Sequence, residues 1–298
     1  MNITPALVQR LVAIQFAQWS DLRVTAVELD GEDNRTFRLG DTMLVRLPSG
    51  EAYASQVEKE QRWLPRLAPA LPFPIPVPLA QGLPNEHFPW PWSIYRWIEG
   101  TPAALTTVDR VHLAVDVARF LTALHRVDPG GGPVPGPHNF FRGASPRVYD
   151  HETRAALEVL QDAVDVDACG AVWQRVLADD WPYPPVWVHG DIATSNLLID
   201  GGRLVAVIDF GCCCVGDPAC DLVIAWTYFS GESRQAFMDA LPFDEATWAR
   251  GRGWALWKSL KQLAQAKREG APDDEHRRVV DEVLADSARA TAVRRPRR

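Results

Sequence analysis

Apolar positions near the start of the chain recur at helical spacing. Leu7, Leu11 and Ile14 follow Thr4 and Pro5, which suit a helix cap and a first helical residue, so the chain is predicted to open with a helix. The pattern then shortens. "LRVTAVEL", "RTFRL" and "TMLVRLP" are brief apolar runs, separated by Asp30-Gly31-Glu32-Asp33-Asn34 and by Gly40-Asp41. Strand, turn and strand repeated in this way predict an antiparallel meander. Helical spacing returns in "YASQVEKEQRWLPRL". In "PALPFPIPVPLA" prolines alternate with apolar residues, which predicts an extended, semi-rigid connector. "PWPWSIYRWIEGTP" reads as one more strand ending at Gly100, where a lobe boundary is placed.

Beyond that point the pattern is mostly helical. "VDRVHLAVDVARFLTALHRV" is a long amphipathic segment, and further helices are expected over roughly Arg147–Ala163 and Asp167–Leu177. "DPGGGPVPGPHNFFRGASP" holds too much glycine and proline for regular structure. A single β unit interrupts the helices: "NLLI", Asp200-Gly201-Gly202 and "LVAVIDF", with Asp-Gly as the hairpin signal. Helices then continue to a basic tail, "RRPRR", expected to be frayed and solvated. The expected class is α+β: a small antiparallel-sheet lobe over residues 1–99 and a larger, mainly helical lobe over residues 100–298. No internal repeat interrupts this plan.

Composition narrows the function. With 298 residues, 47% of them hydrophobic and 23% charged, the chain can bury a sizeable core. A net charge of -7 disfavours the phosphate backbone of nucleic acid and favours a cationic small molecule. Five cysteines, four of them between Cys212 and Cys220, do not form a secreted disulfide framework. The first residues lack the basic region of a signal peptide, and no stretch has the length of a membrane span. The expectation is a cytoplasmic protein with neither membrane nor nucleic-acid partners.

The chemistry concentrates in "VHGDIATSNLLIDGGRLVAVIDFG". Asp191 is followed five residues on by Asn196, and Asp209 stands across the hairpin. Phosphoryl transfer needs a positioned nucleophile and cations that neutralise phosphate charge. One carboxylate can accept the hydrogen bond of an attacking hydroxyl. A second carboxylate with a neutral oxygen ligand can hold Mg²⁺, a hard cation that prefers oxygen. His189-Gly190-Asp191-x-x-x-x-Asn196 followed by Asp209-Phe210-Gly211 matches the spacing of a kinase catalytic loop and its D-F-G. Gly211 is expected to let the chain turn directly after Asp209.

With "GDPACDL" following, the chain resembles the aminoglycoside phosphotransferase family, small-molecule kinases with a bilobal protein-kinase-like fold. The resemblance implies ATP and Mg²⁺ as cofactors, Asp191 as the catalytic base, and Asn196 and Asp209 as metal ligands. It implies bracing roles for His189 and for Asp221, which would bond the catalytic-loop backbone. In the small lobe it points to Arg46, where protein kinases usually carry lysine, and to Glu60 as its partner, with Glu58 as the second candidate. The adenine edge would meet backbone groups near Arg96 and Ile98, and the turn Gly31–Asn34 would cover the nucleotide. Asp217 is left between helix capping and substrate contact.

The usual protein-kinase lysine two residues after the catalytic aspartate is Ala193 here, there is no A-P-E, and there is no room for an activation loop before "GDPACDL". This points to a small cationic or polyhydroxylated acceptor rather than a protein. An aminoglycoside fits the acidic charge; a macrolide or a housekeeping metabolite is the alternative, and a nucleotide-binding module without turnover is a third reading. Glu232, Asp239, Asp244 and Glu245 are the acidic residues considered for acceptor contact. Trp90, Trp92, Trp97 and Trp226 are core candidates, one of which is considered for stacking on adenine or lining the acceptor pocket. Cys212–Cys214 are expected to pack as small hydrophobes rather than to hold a metal.

Overall fold

The computed structural model describes residues 2–27 and 33–293. The first helix, α1 (Pro5–Gln15), begins where Thr4 Oγ1 accepts the Leu7 N–H at 3.3 Å, and it buries Val8, Leu11 and Val12. Five strands follow in the small lobe: β1 (Val24–Ala26), β2 (Asn34–Leu39), β3 (Met43–Pro48), β4 (Pro78–Gly82) and β5 (Trp92–Arg96). They form one antiparallel sheet in the order β1-β2-β3-β5-β4. Alternation along β3 turns Met43, Val45 and Leu47 inward, where they meet Phe37, Leu39, Phe88, Trp92, Ile94 and the buried face of α1. Arg46 falls on the opposite face of the same strand, so the pleat that builds this core also aims the cation into the cleft.

The helix between β3 and β4, α2 (Glu51–Leu67), belongs to a second core. Its buried side carries Gln56, Val57, Lys59, Glu60, Trp63, Leu64 and Leu67, of which Trp63, Leu64 and Leu67 join the main helical core. The proline-rich run after it is not a connector between lobes. It leads back into the sheet, and Pro78 starts β4, an edge strand, where a missing N–H costs no ladder bond. The passage out of the sheet comes later, after Arg96.

The larger part contains β6 (Thr101–Pro102), α3 (Arg110–His125), α4 (Asp150–Val159), α5 (Val166–Val176), β7 (Val186–Val188), β8 (Leu197–Asp200), β9 (Arg203–Val207), β10 (Cys214–Gly216), α6 (Ile224–Thr227), α7 (Gly231–Asp239), α8 (Glu245–Glu269) and α9 (Asp274–Val293). β8 and β9 are the expected hairpin, extended by β6. The sequence pattern did not single out the β7–β10 pair, whose strands have three residues each. α4 is shorter than expected, because Pro146–Tyr149 form a separate 3₁₀ turn before it. α8 is the central helix, packed against α4, α5 and α9. Among the described residues, no helix is long and apolar enough to cross a membrane. The basic tail Arg294–Arg298 and the turn residues Gly31 and Glu32 lie outside the described residues.

Candidate active site

The loop after β7 is held from below by one buried carboxylate. Asp221 accepts the His189 N–H at 2.8 Å on Oδ2 and the Gly190 N–H at 2.7 Å on Oδ1. Burial pushes this carboxyl up to about 7, and the two N–H donors pull against that. His189 is fully buried. The Asp191 N–H donates to its Nδ1 at 3.2 Å, which places the ring proton on Nε2, 3.1 Å from Ile208 O. Burial lowers the His189 pKa, so the ring is neutral and ties the loop to the end of β9. Gly190 has φ +85°, and a Cβ there would lie 2.6 Å from Cys212 O. Only glycine allows this loop to pass so close to the cysteine turn.

Three oxygen-bearing side chains meet above this brace. Asn196 Nδ2 donates to Asp191 O at 2.9 Å and to Asp191 Oδ2 at 3.2 Å, and its Oδ1 accepts from the Ser195 hydroxyl at 3.4 Å. The hairpin brings the third group back, since the Ile208 N–H donates to Asn196 O at 2.9 Å. Asp209 then takes a left-handed backbone, φ +66° and ψ +71°. For a non-glycine residue this is a strained conformation of the kind that collects at functional sites. The turn is therefore made at Asp209 itself and not at Gly211. Gly211 instead allows close packing of α2, because a Cβ there would lie 2.8 Å from Gln56 Oε1.

Across the cleft, Arg46 on β3 joins the two parts of the molecule. Its Nη1 lies 3.4 Å from Glu60 Oε1 on α2, and its Nη2 lies 2.9 Å from Asp209 Oδ1. Tyr95 on β5 donates its hydroxyl to the other oxygen of Glu60. Burial, and then the Glu60 charge, raise the Tyr95 hydroxyl well above its ordinary value, so it remains a donor. For Arg46, burial opposes the charge, but Glu60 and Asp209 outweigh it and hold the guanidinium firmly protonated. For Asp209, burial raises the carboxyl while Arg46 pulls it below the ordinary carboxylate value, so it is ionised at neutral pH. Glu58 is exposed and takes no part.

Residues 24–254 of the chain, which include Arg46, Glu60, Asp191, Asn196 and Asp209, match the model of the phosphotransferase enzyme family. The chain belongs to the phosphotransferase enzyme family. It is 25% identical over 299 residues to the hygromycin-B 4-O-kinase of Escherichia coli, covering 92% of this chain and 82% of that protein. Its fold is similar to the GDP complex of an aminoglycoside 2′-phosphotransferase of type IIIa, with a TM-score of 0.68 and 19% identity, covering 96% of this chain and 100% of the other. It is also similar to a macrolide 2′-phosphotransferase from Brachybacterium faecium, with a TM-score of 0.59 and 22% identity over 93% and 97% of the two chains.

In this phosphotransferase the strand end near Arg96 and Ile98 leaves a stretch of main chain without backbone partners among the described residues. Arg96 is exposed and pairs through the sheet with Met43. The Trp97 N–H goes to Thr42 O at 2.8 Å, whereas the main chain of Ile98 makes no backbone hydrogen bond among the described residues. The tryptophans sort by burial. Trp92 and Trp226 are fully buried, Trp226 donating to Asp286 Oδ2 at 3.2 Å. Trp90 packs edge-on against Phe88, and Trp97 is covered by Arg38, whose guanidinium carbon lies 4.0 Å from the ring centroid. Of the turn expected over the nucleotide, only Asp33 and Asn34 are described, and Asp33 Oδ2 accepts from Gln56 Nε2 at 3.1 Å.

Two lysines at this site carry no motif in the sequence. Lys59 is buried on α2, and its ammonium donates to Gly211 O, holding the turn after Asp209. Its signal was available: Gln56, Lys59, Glu60 and Trp63 fall at i, i+3, i+4 and i+7, so polar residues share one face of α2 with a tryptophan. Lys258, far along α8, reaches to 3.8 Å from Asp191 Oδ1.

The acidic residues considered for the acceptor do not gather here. Asp244 caps α8 by accepting the Thr247 N–H at 2.8 Å, and Glu245 pairs with Arg252 at 2.5 Å. Both sit about 20 Å along the helix from Lys258. Asp239 accepts from Gln235 at 2.7 Å, and Glu232 is an exposed residue in the first turn of α7. Asp217 is a buried cap: it accepts the Ala219 N–H at 3.0 Å and pairs with Arg250 at 2.7 Å. Cys213 and Cys214 are fully buried, and Cys214 Sγ donates to Arg142 O at 2.9 Å. Burial pushes the Cys212 and Cys213 thiols up to about 12, which makes them poor nucleophiles and poor ligands at neutral pH.

Proposed function

We propose that this phosphotransferase moves the γ-phosphoryl group of ATP to a hydroxyl of a small acceptor, with Asp191 as base and Asn196 and Asp209 as the metal ligands. The observation that carries the reading is the convergence of Asp191, Asn196 and a strained, ionised Asp209 on one cleft that Arg46 closes from the other side. Asn196 Oδ1 and the Asp209 carboxylate fit Mg²⁺, being hard oxygen donors, one neutral and one charged. When bound, the ion neutralises charge on the β- and γ-phosphates. The acceptor hydroxyl donates its hydrogen bond to the Asp191 carboxylate. As its oxygen bonds to phosphorus, the bond from phosphorus to the β–γ bridging oxygen breaks and its electron pair leaves with ADP, while the hydroxyl proton passes to Asp191. Arg46, oriented by Glu60, meets the α- and β-phosphates. His189 takes no proton, because its ring is committed to the two backbone groups that hold it.

The base edge of the nucleotide is read by main-chain groups near Arg96 and Ile98, which makes residues 1–99 the nucleotide-binding lobe and residues 100–298 the lobe of catalytic loop and acceptor. The acceptor in this reading is an aminoglycoside-like antibiotic, in line with the hygromycin relative and the overall acidity. A specific observation favours a second, less cationic acceptor such as a macrolide. Beside Asp191 stands the ammonium of Lys258, 3.8 Å from its carboxylate, while the acidic side chains considered for ammonium groups lie elsewhere. Five free cysteines fit a reducing, cytoplasmic setting.

The test is ADP release with Mg²⁺ and ATP across a panel of aminoglycosides, aminocyclitols, macrolides and hydroxylated metabolites. Turnover with one class names the acceptor. Nucleotide binding without turnover on any member would favour a binding module and sink the enzymatic reading.

A further inference from the structure

We propose that Lys258 is a catalytic residue whose ammonium contacts the γ-phosphoryl group during transfer, supplying from α8 the positive charge that Ala193 cannot supply from the catalytic loop. The inference rests on the phosphoryl-transfer reading above and goes beyond it in naming a cation on the acceptor side of the reacting group.

The geometry divides the Asp191 carboxylate between two neighbours. Oδ2 accepts from Asn196 at 3.2 Å, and Lys258 Nζ stands 3.8 Å from Oδ1. At 3.8 Å the lysine is attracted but not hydrogen-bonded, since N–H···O bonds fall at roughly 2.7–3.2 Å. Among the described residues it makes no other ion pair or hydrogen bond, so its ammonium donors remain available. Its side chain is 43% exposed and that of Asp191 38%, so both open onto the same cleft. An acceptor oxygen bonded to Asp191 lies about 3–3.5 Å from the phosphorus it attacks. The phosphoryl oxygens then fall within reach of a lysine already beside the carboxylate.

The other cations nearby face other partners. Arg46 is held between Glu60 and Asp209 on the nucleotide side. Arg142 lies over the Trp254 and Trp257 rings, 5.2 and 5.3 Å from their centroids. Lys261, almost one turn on, is 3.6 Å from Glu152. The base of Lys258 is firm, because Trp254 and Trp257 are buried on the same helix. Lys258 also lies beyond residues 24–254, the part that the family model matches. The transition state spreads charge over the equatorial oxygens of the transferring group, and a lysine placed there strengthens its contact as that charge develops.

The experiment uses the full chain as wild type, Lys258→Ala, Lys258→Arg and Lys258→Gln, with kcat, acceptor KM, acceptor-free ATP hydrolysis and ADP affinity measured for each. Lys258→Ala is expected to lower kcat about 10²-fold and acceptor-free hydrolysis by a similar factor, with ADP affinity unchanged. Lys258→Arg should recover most of the loss. Lys258→Gln keeps much of the stem and replaces Lys258→Ala if that variant melts early. A kcat within threefold of wild type in both neutral variants overturns the proposal. So does a raised acceptor KM with unchanged hydrolysis, which assigns the lysine to the acceptor. If the wild type itself neither transfers nor hydrolyses, the phosphoryl-transfer reading fails before Lys258 is at issue.

Discussion

Arg46 Nη2 lies 2.9 Å from Asp209 Oδ1 while Nη1 of the same guanidinium lies 3.4 Å from Glu60 Oε1. One side chain on the sheet thus addresses α2 and the left-handed residue at the end of the hairpin together. Lysine, a single charge centre, reproduces one of those contacts but not the fork.

Arg46→Lys is therefore expected to weaken nucleotide binding by about tenfold and to leave the fold intact, as read by calorimetric titration. Arg46→Ala leaves the buried Glu60 carboxylate without its cation and should cost about 3 kcal/mol or more in urea denaturation. Pairing it with Glu60→Gln should restore part of that stability. Equal stability of Arg46→Ala and wild type would show that the pair is not structural.

A second prediction concerns His125 in the last turn of α3. Its Nε2 is buried without a partner, and burial lowers its pKa from 6.5 to about 4. The folded state holds it neutral. The stability this gives is fully present above the unfolded value near 6.5 and is lost as pH falls toward 4. The gap corresponds to about 3 kcal/mol. Between pH 7 and pH 4 the wild type should lose about that much more stability than His125→Leu, read from urea midpoints at both pH values. Parallel loss in the two proteins would contradict it.

The cysteines supply a third. With their thiols pushed up to about 12, Cys212 and Cys213 should resist iodoacetamide at pH 7.5 in the native protein and react once it is unfolded, as followed by mass spectrometry. Replacing Cys212–Cys214 by serine should destabilise by about 1–3 kcal/mol for each fully buried hydroxyl that finds no partner. Magnesium-dependent turnover should persist in the protein that remains folded. Selective loss of turnover in a stable triple variant would give the sulfurs a role in the chemistry.

Local patterns carried most of this structure in the sequence. Thr4-Pro5 capped a real helix, Asp200-Gly201 turned a real hairpin, and the spacing from Asp191 to Asn196 to Asp209 placed three groups that the hairpin does bring together. What escaped depends on long-range packing. Proline alternation over Pro69–Pro78 looks the same in a linker and on the way into an edge strand; only the pairing of β4 with β5 distinguishes them. Glycine turns a chain easily, so the sequence points to Gly211 for the turn after Asp209, yet the left-handed conformation falls on Asp209 itself. Lys258 is 67 residues from Asp191 and shares no motif with it, so its approach follows from where α8 packs. The acidic residues near the start of α8 were placed for the same reason away from Asp191, since helix length separates them from Lys258.

Asp191 is the residue on which the account turns, and Asp191→Asn tests it most directly. The amide preserves shape and the neighbourhood of Asn196 while removing the ability to take the hydroxyl proton. The expected result is a kcat lowered by at least about 10²–10⁴-fold with nucleotide affinity within about threefold of wild type. Turnover within tenfold of wild type, or loss of nucleotide binding in step with activity, would contradict the role assigned to Asp191.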